Sequence, residues 1–435
     1  MADIFPFRAL RYNPQLVSAS QAVTQPYDKI SPAMQQAYYQ ASPYNLVRII
    51  LGRREEQDNA EQNVYTRAAA YFHDWRAQGV LQQDAEPCIY AYSERFQAPG
   101  TNVELERRGF IGLGRVEDYS AKVVFRHEQT LAKPKADRLE LLRATRAHFG
   151  QIFMLYEGSE VDFSLRAGTE RAPEIEVTDE YGVVHRVWAI SEPAVIEAVR
   201  EMMREKRLII ADGHHRYETA LTYRDERRAA ISGGSSQRNA PYEFLMMTFV
   251  SMRSPELLIL PTHRVVHGIA DFSVERFVST SAQFFEVEEV DPEIGAGAAT
   301  AALRDKGRDG TALLAVTGSR ALLLHSPKPA GAQFFSGLSP RQQALDVVQL
   351  HKCLLEGVLL LSEESIRNQQ NLSYVRDAGE AMGLVRDRAA NVAFLMNACK
   401  VEQVRDVAFG GEVMPQKSTD FYPKLLSGLT IYALD

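Results

Sequence analysis

The segment that most constrains the fold is an apolar run that ends in a glycine turn and continues into a helical pattern. The run is Leu208–Ala211, the turn is Asp212-Gly213, and Tyr217 and Ala220 then follow helical spacing. A short apolar run bounded by a turn is typical of a buried strand. The segment therefore predicts a strand, a tight turn and a helix in succession.

The rest of the chain continues this mixture, which predicts a mixed α/β fold. Two β-rich stretches around Pro99-Gly100 predict a hairpin, and a second hairpin is expected around Glu180–Gly182. Further strands are expected at residues 152–156, 244–252, 313–317, 321–325 and 392–396. Helices are expected at residues 59–78, from near Pro134, and at 340–355 and 401–408.

Length and composition describe an ordinary folded protein of more than one domain. The 435 residues exceed a single typical domain, and 45% hydrophobic with 24% charged residues exclude a disordered, collagenous or coiled-coil chain. The polar stretch Ser232–Asn239 has the composition of a flexible loop. We therefore expect an N-terminal region at 1–235 and a C-terminal region at 240–435.

Charge and cysteine content limit the possible binding partners and the cellular compartment. Lys plus Arg (49) against Asp plus Glu (56) leaves a net charge of −7, which argues against DNA. Cys88, Cys353 and Cys399 are too few and too far apart for a disulfide framework, which indicates a reducing compartment. Because no signal peptide or run of about 20 apolar residues is evident, we expect a cytoplasmic protein without a membrane partner.

The turn before the predicted helix carries the residues best suited to hold a phosphate. A helix start offers unpaired N–H groups and a positive dipole end, and His214, His215 and Arg216 add donors and charge there. Asp212 could cap the helix, hold Mg²⁺ or orient a histidine. The alternative is a plain cap and turn at Gly213. Zinc is disfavoured, because adjacent helical residues point about 100° apart.

A second polar segment precedes the helix expected near Pro134. It contains His127 and Glu128, and then Lys133 and Lys135. An imidazole, a carboxylate and several cations close together suit a loop that contacts an anion. Glu128 is the candidate general base or Mg²⁺ ligand, and the alternative is a solvated charged loop.

A third segment lies near the carboxyl end. Lys417, Ser418 and Thr419 offer a charge and two hydroxyls for a phosphate or carboxylate, while Phe421 and Tyr422 could stack on a base. It lacks the glycines of a P-loop. The alternative is a basic surface loop anchored by its aromatic residues.

A fourth segment near the amino terminus is less informative. The stretch Gln25–Asp28, together with Asn45, could line a pocket, but such residues more often form a turn and a helix cap. We therefore rank it below the other three.

Together these segments resemble a bacterial and archaeal family of unknown function, domain-of-unknown-function family number one thousand and fifteen, which is often labelled ParB-like. The resembling pieces spread over nearly the whole chain: Pro6–Ala9, Pro26–Asp28, His127-Glu128, Lys133–Lys135, Ala211–Glu218 and Met414–Lys424. The resemblance implies a nucleotide-binding core followed by an additional mixed α/β region.

The box that begins at Asp212 also resembles the phosphate-binding box of the ParB and sulfiredoxin superfamily. Sulfiredoxins carry their catalytic cysteine after the glycine, where this chain has His214, so thiol chemistry is not expected. Free serine kinases of that superfamily carry an Asp-Gly-His-His-Arg motif. By this resemblance, Asp212 and His215 lie at the transferring phosphate. The DNA-binding helices of ParB are not recognisable.

The sequence and the resemblance lead to one hypothesis: a kinase that uses ATP or ADP with Mg²⁺ to phosphorylate a small hydroxyl metabolite, with free L-serine as one candidate. Alternatives are a ParB-like nucleotide switch without turnover and a phosphatase. The expected catalytic residues are Asp212, His215 and Glu128, of which Asp212 and Glu128 are also the metal candidates. The expected nucleotide-binding residues are Gly213, His214, Arg216, His127, Lys133, Lys135, Lys417, Ser418 and Thr419.

Overall fold

The computed structural model describes residues 2–130, 132–158, 167–230 and 238–435, without the side chains of residues 132–134 and 167. The chain forms two compact units. The first comprises residues 1–126, 130–258 and 423–435, and the second comprises 127–129 and 259–422. Both contain helices and sheets, so the mixed α/β class is confirmed.

The first unit is built on a large mixed sheet. The strands of this unit are β1 (Ile4–Phe5), β2 (Leu10–Tyr12), β3 (Leu81–Gln83), β4 (Ile89–Gln97), β5 (Glu104–Arg115), β6 (Val124–Phe125), β7 (Ala147–His148), β8 (Ile152–Tyr156), β9 (Ile175–Thr178), β10 (Val184–Ile190), β11 (Leu208–Asp212) and β12 (Phe244–Ser251), followed by one more at the end of the chain. Of these, β2 and β3 form a separate pair, and β7 also lies outside the large sheet. Within the described residues the sheet order is β6-β11-β8-β12-β5-β4-β10-β9, and β1 pairs with β5. The pairs β11–β6 and β12–β8 are parallel, and the others are antiparallel.

Helices pack against this sheet and around a second apolar cluster. They are α1 (Ala19–Ala22), α2 (Pro32–Ala41), α3 (Val47–Ile50), α4 (Val64–Ala77), α5 (Ala132–Thr145), α6 (Pro193–Met203) and α7 (His214–Ala230), with a 3-10 turn at Tyr27–Lys29. Two sequence features set their starts. Ser31 caps α2 ahead of a proline, and Asn63 forms a capping box at α4.

The centre of the first sheet is buried on both faces. All five residues of β8 and all eight of β12 are buried, as expected for nearly continuous apolar runs. On one face α7 contributes Tyr217 and Ala220 to the main core. This packing fixes the start of α7 beside the end of β11.

The second unit contains a six-stranded antiparallel sheet in its described part, of order β15-β17-β16-β19-β14-β18. Its strands are β14 (His263–Val266), β15 (Glu286–Val290), β16 (Ala312–Thr317), β17 (Ala321–His325), β18 (Leu372–Val375) and β19 (Val392–Met396). Two further strands, β13 (Leu258–Leu260) and β20 (Asp420–Tyr422), form a separate pair. The last strand of the chain, β21 (Tyr432–Ala433), returns to the first unit and pairs with β7.

Helices cover this second sheet. They are α8 (Val274–Ser281), α9 (Ala296–Lys306), α10 (Pro340–Gln343), α11 (Asp346–Gln349), α12 (Glu363–Arg367), α13 (Ala378–Arg386) and α14 (Val401–Phe409). The single helix expected at 340–355 is instead two short helices and a π-helix at Leu350–Val358. The break occurs at Leu345, whose backbone is extended with ψ at 128°.

The observed units do not divide at residues 235–240, where composition placed the boundary. Residues 231–237, which adjoin and overlap that position, lie outside the described residues. The first unit continues to Leu258, because β12 is an inner strand of its sheet and pairs with both β5 and β8. It also takes up residues 423–435.

No helix in the described residues is both long enough and apolar enough to cross a membrane.

Candidate functional site

The predicted strand, turn and helix are confirmed, and the turn has a geometry that only glycine adopts easily. Gly213 joins β11 to α7 with φ at +97°. A Cβ there would lie 3.0 Å both from Nη2 of Arg216 and from Ile152. The turn therefore brings the Arg216 guanidinium against the backbone at the helix start.

Asp212 lies between two cations at this turn. Its Oδ2 accepts a hydrogen bond from Nη2 of Arg216 at 2.9 Å, and its Oδ1 accepts one from Nζ of Lys424 at 2.8 Å. Burial would raise the pKa of Asp212, but the charges of Lys424 and Arg216 hold that pKa far below its usual value. The carboxylate stays ionised and fixes both cations in place.

This arrangement does not fit a magnesium ion held by Asp212. Each carboxylate oxygen accepts a hydrogen bond from a cation, and the two positive charges beside Asp212 would repel a divalent ion. Among the described residues, no group of three or more His, Cys, Asp and Glu side chains is placed to hold a metal ion. The metal roles of Asp212 and Glu128 stay predictions from sequence.

The two histidines of the box begin α7. His214 is buried and His215 is half-buried. Their position at the first turn of a 17-residue helix is the one expected from sequence. The positive end of this helix and the cations on Asp212 lie at the same turn, which is the combination that binds phosphate groups elsewhere in proteins.

A small cavity of about 70 Å³ adjoins Arg216 within the first unit. Apolar side chains such as Leu141 and Phe149 form its walls, and Tyr27, Arg138 and Arg216 supply polar groups. The Arg138 guanidinium lies 4.1 Å from the ring centroid of Tyr27. The cavity can take an apolar or aromatic fragment next to a bound anion.

The fourth segment, ranked low from sequence, lies close to this turn. Tyr27 lines the cavity, and burial raises its pKa to about 12. The charge of Lys29, on the same 3-10 turn, helps to lower the pKa of Asp212. Asp28 is exposed on this turn. The 3-10 turn that lines the cavity therefore also carries an exposed carboxylate, in a segment that the sequence ranked low.

Lys135 is held by a carboxylate of α7. Its Nζ donates to Glu218 at 2.9 Å, and Arg126 and Thr130 also donate to Glu218. Burial would raise the pKa of Glu218, but these donors lower it. The side chain of Lys133 lies outside the described residues. Lys135 therefore links α5 to the helix that carries the box.

In the second unit, the structure brings together the second and third polar segments. His127 is fully buried, and its Nε2 lies 2.8 Å from Oγ1 of Thr419. The backbone N–H of Lys417, a residue with φ at +56°, donates to Oε1 of Glu128 at 2.9 Å. Ser418, which lies between Lys417 and Thr419 in the sequence, is buried. These residues meet in space although nearly 300 positions separate them in sequence.

Buried Arg264 holds the same loop of the second unit. Its Nη2 donates to the carbonyl oxygens of Gln416 and Lys417, at 3.1 and 3.0 Å. Burial lowers the pKa of Arg264. The nucleotide-binding roles of His127, Lys417, Ser418 and Thr419, and the role of Glu128 as base, stay predictions.

We expect acid to weaken the first unit through His148, which lines the cavity. Burial lowers the pKa of His148 to about 4, so between pH 6.5 and 4 the unfolded chain binds a proton that the folded chain does not. The free energy of unfolding should be highest above pH 6.5. It should fall by roughly 1–3 kcal/mol as the pH drops from 6.5 to 4. Urea unfolding at a series of pH values measures the loss.

The matched variant is His148→Phe, which keeps the aromatic stacking on Tyr432. It should flatten the pH dependence of the unfolding free energy, whereas His73→Phe, at an exposed position of α4, should not. An unchanged slope in His148→Phe would contradict the assignment.

Sequence reasoning missed three residues of this site. Lys424 ends the third segment, but the sequence favours Lys417 as a phosphate ligand because hydroxyl residues follow it. Glu218 is one of many helical acidic residues, and nothing in its spacing marks it. Arg138 is one of several cations around Pro134, and nothing in its spacing assigns it a role. No sequence signal distinguishes these side chains from surface charges.

Comparisons with known proteins place the chain in a family. A family described as "Protein of unknown function (DUF1015)" matches residues 4–348. No curated protein matches the sequence. Among solved structures, a conserved hypothetical protein from Pyrococcus furiosus is 12% identical over 70% of this chain and 89% of its own, with a TM-score of 0.35.

Two further solved structures are similar to the same extent. A free serine kinase in complex with AMP is 14% identical over 69% of this chain and 83% of its own, with a TM-score of 0.36. SbnI with a C-terminal truncation, from Staphylococcus aureus, is 10% identical over 73% of this chain and 85% of its own, with a TM-score of 0.35.

Proposed function

The chain belongs to the DUF1015 family, and from its site we propose that it is a nucleotide-dependent phosphotransferase acting on a small hydroxyl metabolite. The observation that carries the proposal is the turn between β11 and α7. There Asp212 holds Arg216 and Lys424 at hydrogen-bonding distance beside the positive end of a long helix. This arrangement is suited to phosphoryl groups.

Such a site would work mainly by positioning and by neutralising charge. Phosphoryl transfer spreads negative charge over the equatorial oxygens, and preorganised cations stabilise that charge. Asp212 would hold Arg216 and Lys424 in place before the nucleotide arrives, so little reorganisation is needed. His214 and His215 at the helix start would add donors.

The cavity beside Arg216 supports a small ligand fragment rather than a polymer. Its volume of about 70 Å³ and its partly apolar wall suit a small group held next to the phosphate site. ATP or ADP is the proposed donor. Free L-serine is the first acceptor to test, because the Asp-Gly-His-His-Arg motif resembles that of free serine kinases.

Two carboxylates are candidates for accepting the proton of the acceptor hydroxyl. Glu128 is the one chosen from sequence, and it belongs to the second unit. Asp28 belongs to the first unit and lies on the 3-10 turn whose Tyr27 lines the cavity. Comparing Glu128→Gln with Asp28→Asn in a serine phosphorylation assay decides between them, since loss of the base lowers kcat by about 10²–10⁴.

The proposal predicts that nucleotide stabilises the protein through Arg216. ATP or ADP at about 100 times its Kd should add about 2.7 kcal/mol of stability, seen as a rise in Tm. Arg216→Ala should weaken nucleotide affinity by roughly 10- to 100-fold, because it removes a charge-assisted contact. Arg143→Ala, at an exposed arginine of α5, is the matched control.

Turnover assays then separate the proposed activity from its alternatives. Nucleotide consumption that requires the acceptor indicates a kinase, and release of phosphate without an acceptor indicates a phosphatase. Binding without turnover of any hydroxyl compound would indicate a switch. Equal Tm shifts in the wild type and in Arg216→Ala would exclude the turn as the nucleotide site.

A further inference from the structure

A second cavity of the first unit is lined by arginines and has a volume of about 350 Å³. It lies among α2, α3, the loop after α3 and the start of α4. Tyr39 lies on one side, and Arg48, Arg53 and Arg67 point polar groups toward it, together with Gln36 and Tyr71. None of these lining residues belongs to the turn at Gly213.

The positive charge of the cavity is only partly compensated. Arg67 pairs with Asp58 and lies 3.7 Å from Glu55. In the described part of the chain, neither Arg48 nor Arg53 forms an ion pair with a carboxylate. The lining therefore contains three arginines and one carboxylate, Glu55, which leaves a net positive charge at the cavity.

Stacking on an aromatic ring and hydrogen bonds hold these arginines in position without an anion. Both guanidinium groups stack on the Tyr39 ring, with centroid distances of 4.5 Å for Arg48 and 4.2 Å for Arg53. Arg48 donates to the carbonyl oxygen of Tyr39, and Arg67 donates to that of Arg53. The cations are therefore fixed in advance, which reduces the cost of ordering them around a ligand.

Arg48 also carries a buried N–H beside the cavity. Within the described residues, Nε of Arg48 makes no hydrogen bond, and it is not exposed to the cavity. A bound anion would therefore contact the other guanidinium nitrogens of Arg48, Arg53 and Arg67. The planar guanidinium fork matches the oxygens of a phosphate.

We infer that this cavity binds a small phosphorylated metabolite. Its volume lies within the range of small-molecule sites, and Tyr39, Tyr71 and Val64 provide surface for an organic part. The net charge of −7 argues against a polyanionic polymer as the occupant.

The cavity is distinct from the one beside Arg216. Arg48 and Ile50 lie on the same short helix α3, but Arg48 lines the arginine cavity and Ile50 lines the other. The carbonyl oxygen of Ile50 also accepts a hydrogen bond from Arg138. The two cavities are therefore neighbours that share a helix and can be tested separately.

The test is titration of the full chain with inorganic phosphate and pyrophosphate by calorimetry. Arg53→Gln should weaken pyrophosphate binding by at least about tenfold, because it removes one charge-assisted contact. Arg54→Gln is the matched control: it is the next residue, 73% exposed, and lies outside the cavity lining. Arg53 is itself exposed, so folding should be retained. Arg48→Lys, which keeps the charge but not the fork, should also bind more weakly.

The variant Arg216→Ala distinguishes this inference from the proposed function. If the arginine cavity binds phosphate, part of the pyrophosphate binding persists in Arg216→Ala and is lost when Arg53→Gln is added. Equal binding by Arg53→Gln and Arg54→Gln overturns the inference, as does complete loss of binding in Arg216→Ala alone. If nucleotide affinity is unchanged in Arg216→Ala while pyrophosphate binding is still weakened in Arg53→Gln, only the proposed function fails.

Discussion

Replacing Arg107 with methionine should destabilise the first unit by about 3–5 kcal/mol, the largest effect on stability that we expect from one substitution. Arg107 is fully buried and pairs with Glu94, which is 1% exposed. It also donates to the carbonyl oxygen of Pro423 at 2.7 Å. Without the guanidinium, a buried carboxylate loses its counter-charge and this carbonyl loses a donor. Urea unfolding of the two proteins measures the difference.

The pair belongs to a row of polar side chains across three strands of the sheet. Glu94 on β4 lies directly opposite Arg107 on β5, and His185 on β10 lies opposite Glu94. His185 in turn lies 3.3 Å from Asp179 and 2.7 Å from the hydroxyl of Tyr92. Because these groups depend on one another, removal of one partner costs more than removal of an isolated surface pair.

The loss should depend on pH with a defined sign. Burial raises the pKa of Glu94, and Arg107 opposes that rise. In Arg107→Met the opposition disappears, so the folded-state pKa of Glu94 rises further above its unfolded value. The folded variant then holds a proton that the unfolded chain releases, and the deficit grows as the pH rises above about 4.5. The variant should therefore be closest to the wild type at or below about pH 4.5.

The neighbouring residue supplies the control. Arg108 is 47% exposed and pairs with Glu106 on the surface, so Arg108→Met should change stability by less than about 1 kcal/mol. The double variant Glu94→Leu with Arg107→Met should recover much of the loss, since apolar residues can replace a buried ion pair. If Arg107→Met unfolds at the same urea concentration as the wild type at pH 8, the buried Arg107–Glu94 pair does not stabilise the first unit.

Local patterns predicted the elements of the fold well. The expected strands 152–156, 321–325 and 392–396 have the observed bounds, and both expected hairpins form. These segments are short apolar runs bounded by turn residues, so local propensity and burial agree. Where the two signals coincide, sequence alone is sufficient.

Features that depend on contacts between residues distant in sequence could not be predicted in this way. Composition favoured a boundary near the Ser232–Asn239 loop, but a polar loop cannot reveal that the following strand pairs inside the preceding sheet. The helical pattern of 340–355 concealed the extended residue Leu345. Sheet order depends on tertiary packing, which periodicity within one segment does not encode.

The candidate site shows the same contrast. The box at Asp212 is contiguous in sequence, so its turn and helix could be predicted, including the position of Arg216. The partner of Asp212 that comes from elsewhere, Lys424, lies 212 positions away. Its neighbours are Pro423 and apolar residues, which give no sign of an ionic role. A single lysine becomes recognisable as part of a site only when its partner is known.

Lys424→Ala should have the largest effect on the proposed reaction, lowering kcat/KM by about 10²–10³. The Lys424 side chain is 8% exposed, and its ammonium group is held on Asp212 at 2.8 Å. A preorganised cation of this kind acts on charge that develops during phosphoryl transfer, so most of the loss should appear in kcat. Steady-state kinetics with the accepted hydroxyl substrate measures it.

Three comparisons make this result specific to the position of the charge. Lys424→Arg should retain more activity than Lys424→Ala, because it keeps a cation beside Asp212, although its fork differs from an ammonium. Lys417→Ala tests the lysine that the sequence favoured, which belongs to the second unit. Asp212→Asn should lower kcat as well, since both cations lose the carboxylate that positions them. If Lys424→Ala keeps wild-type kcat while its thermal unfolding is normal, the cation beside Asp212 has no part in the reaction.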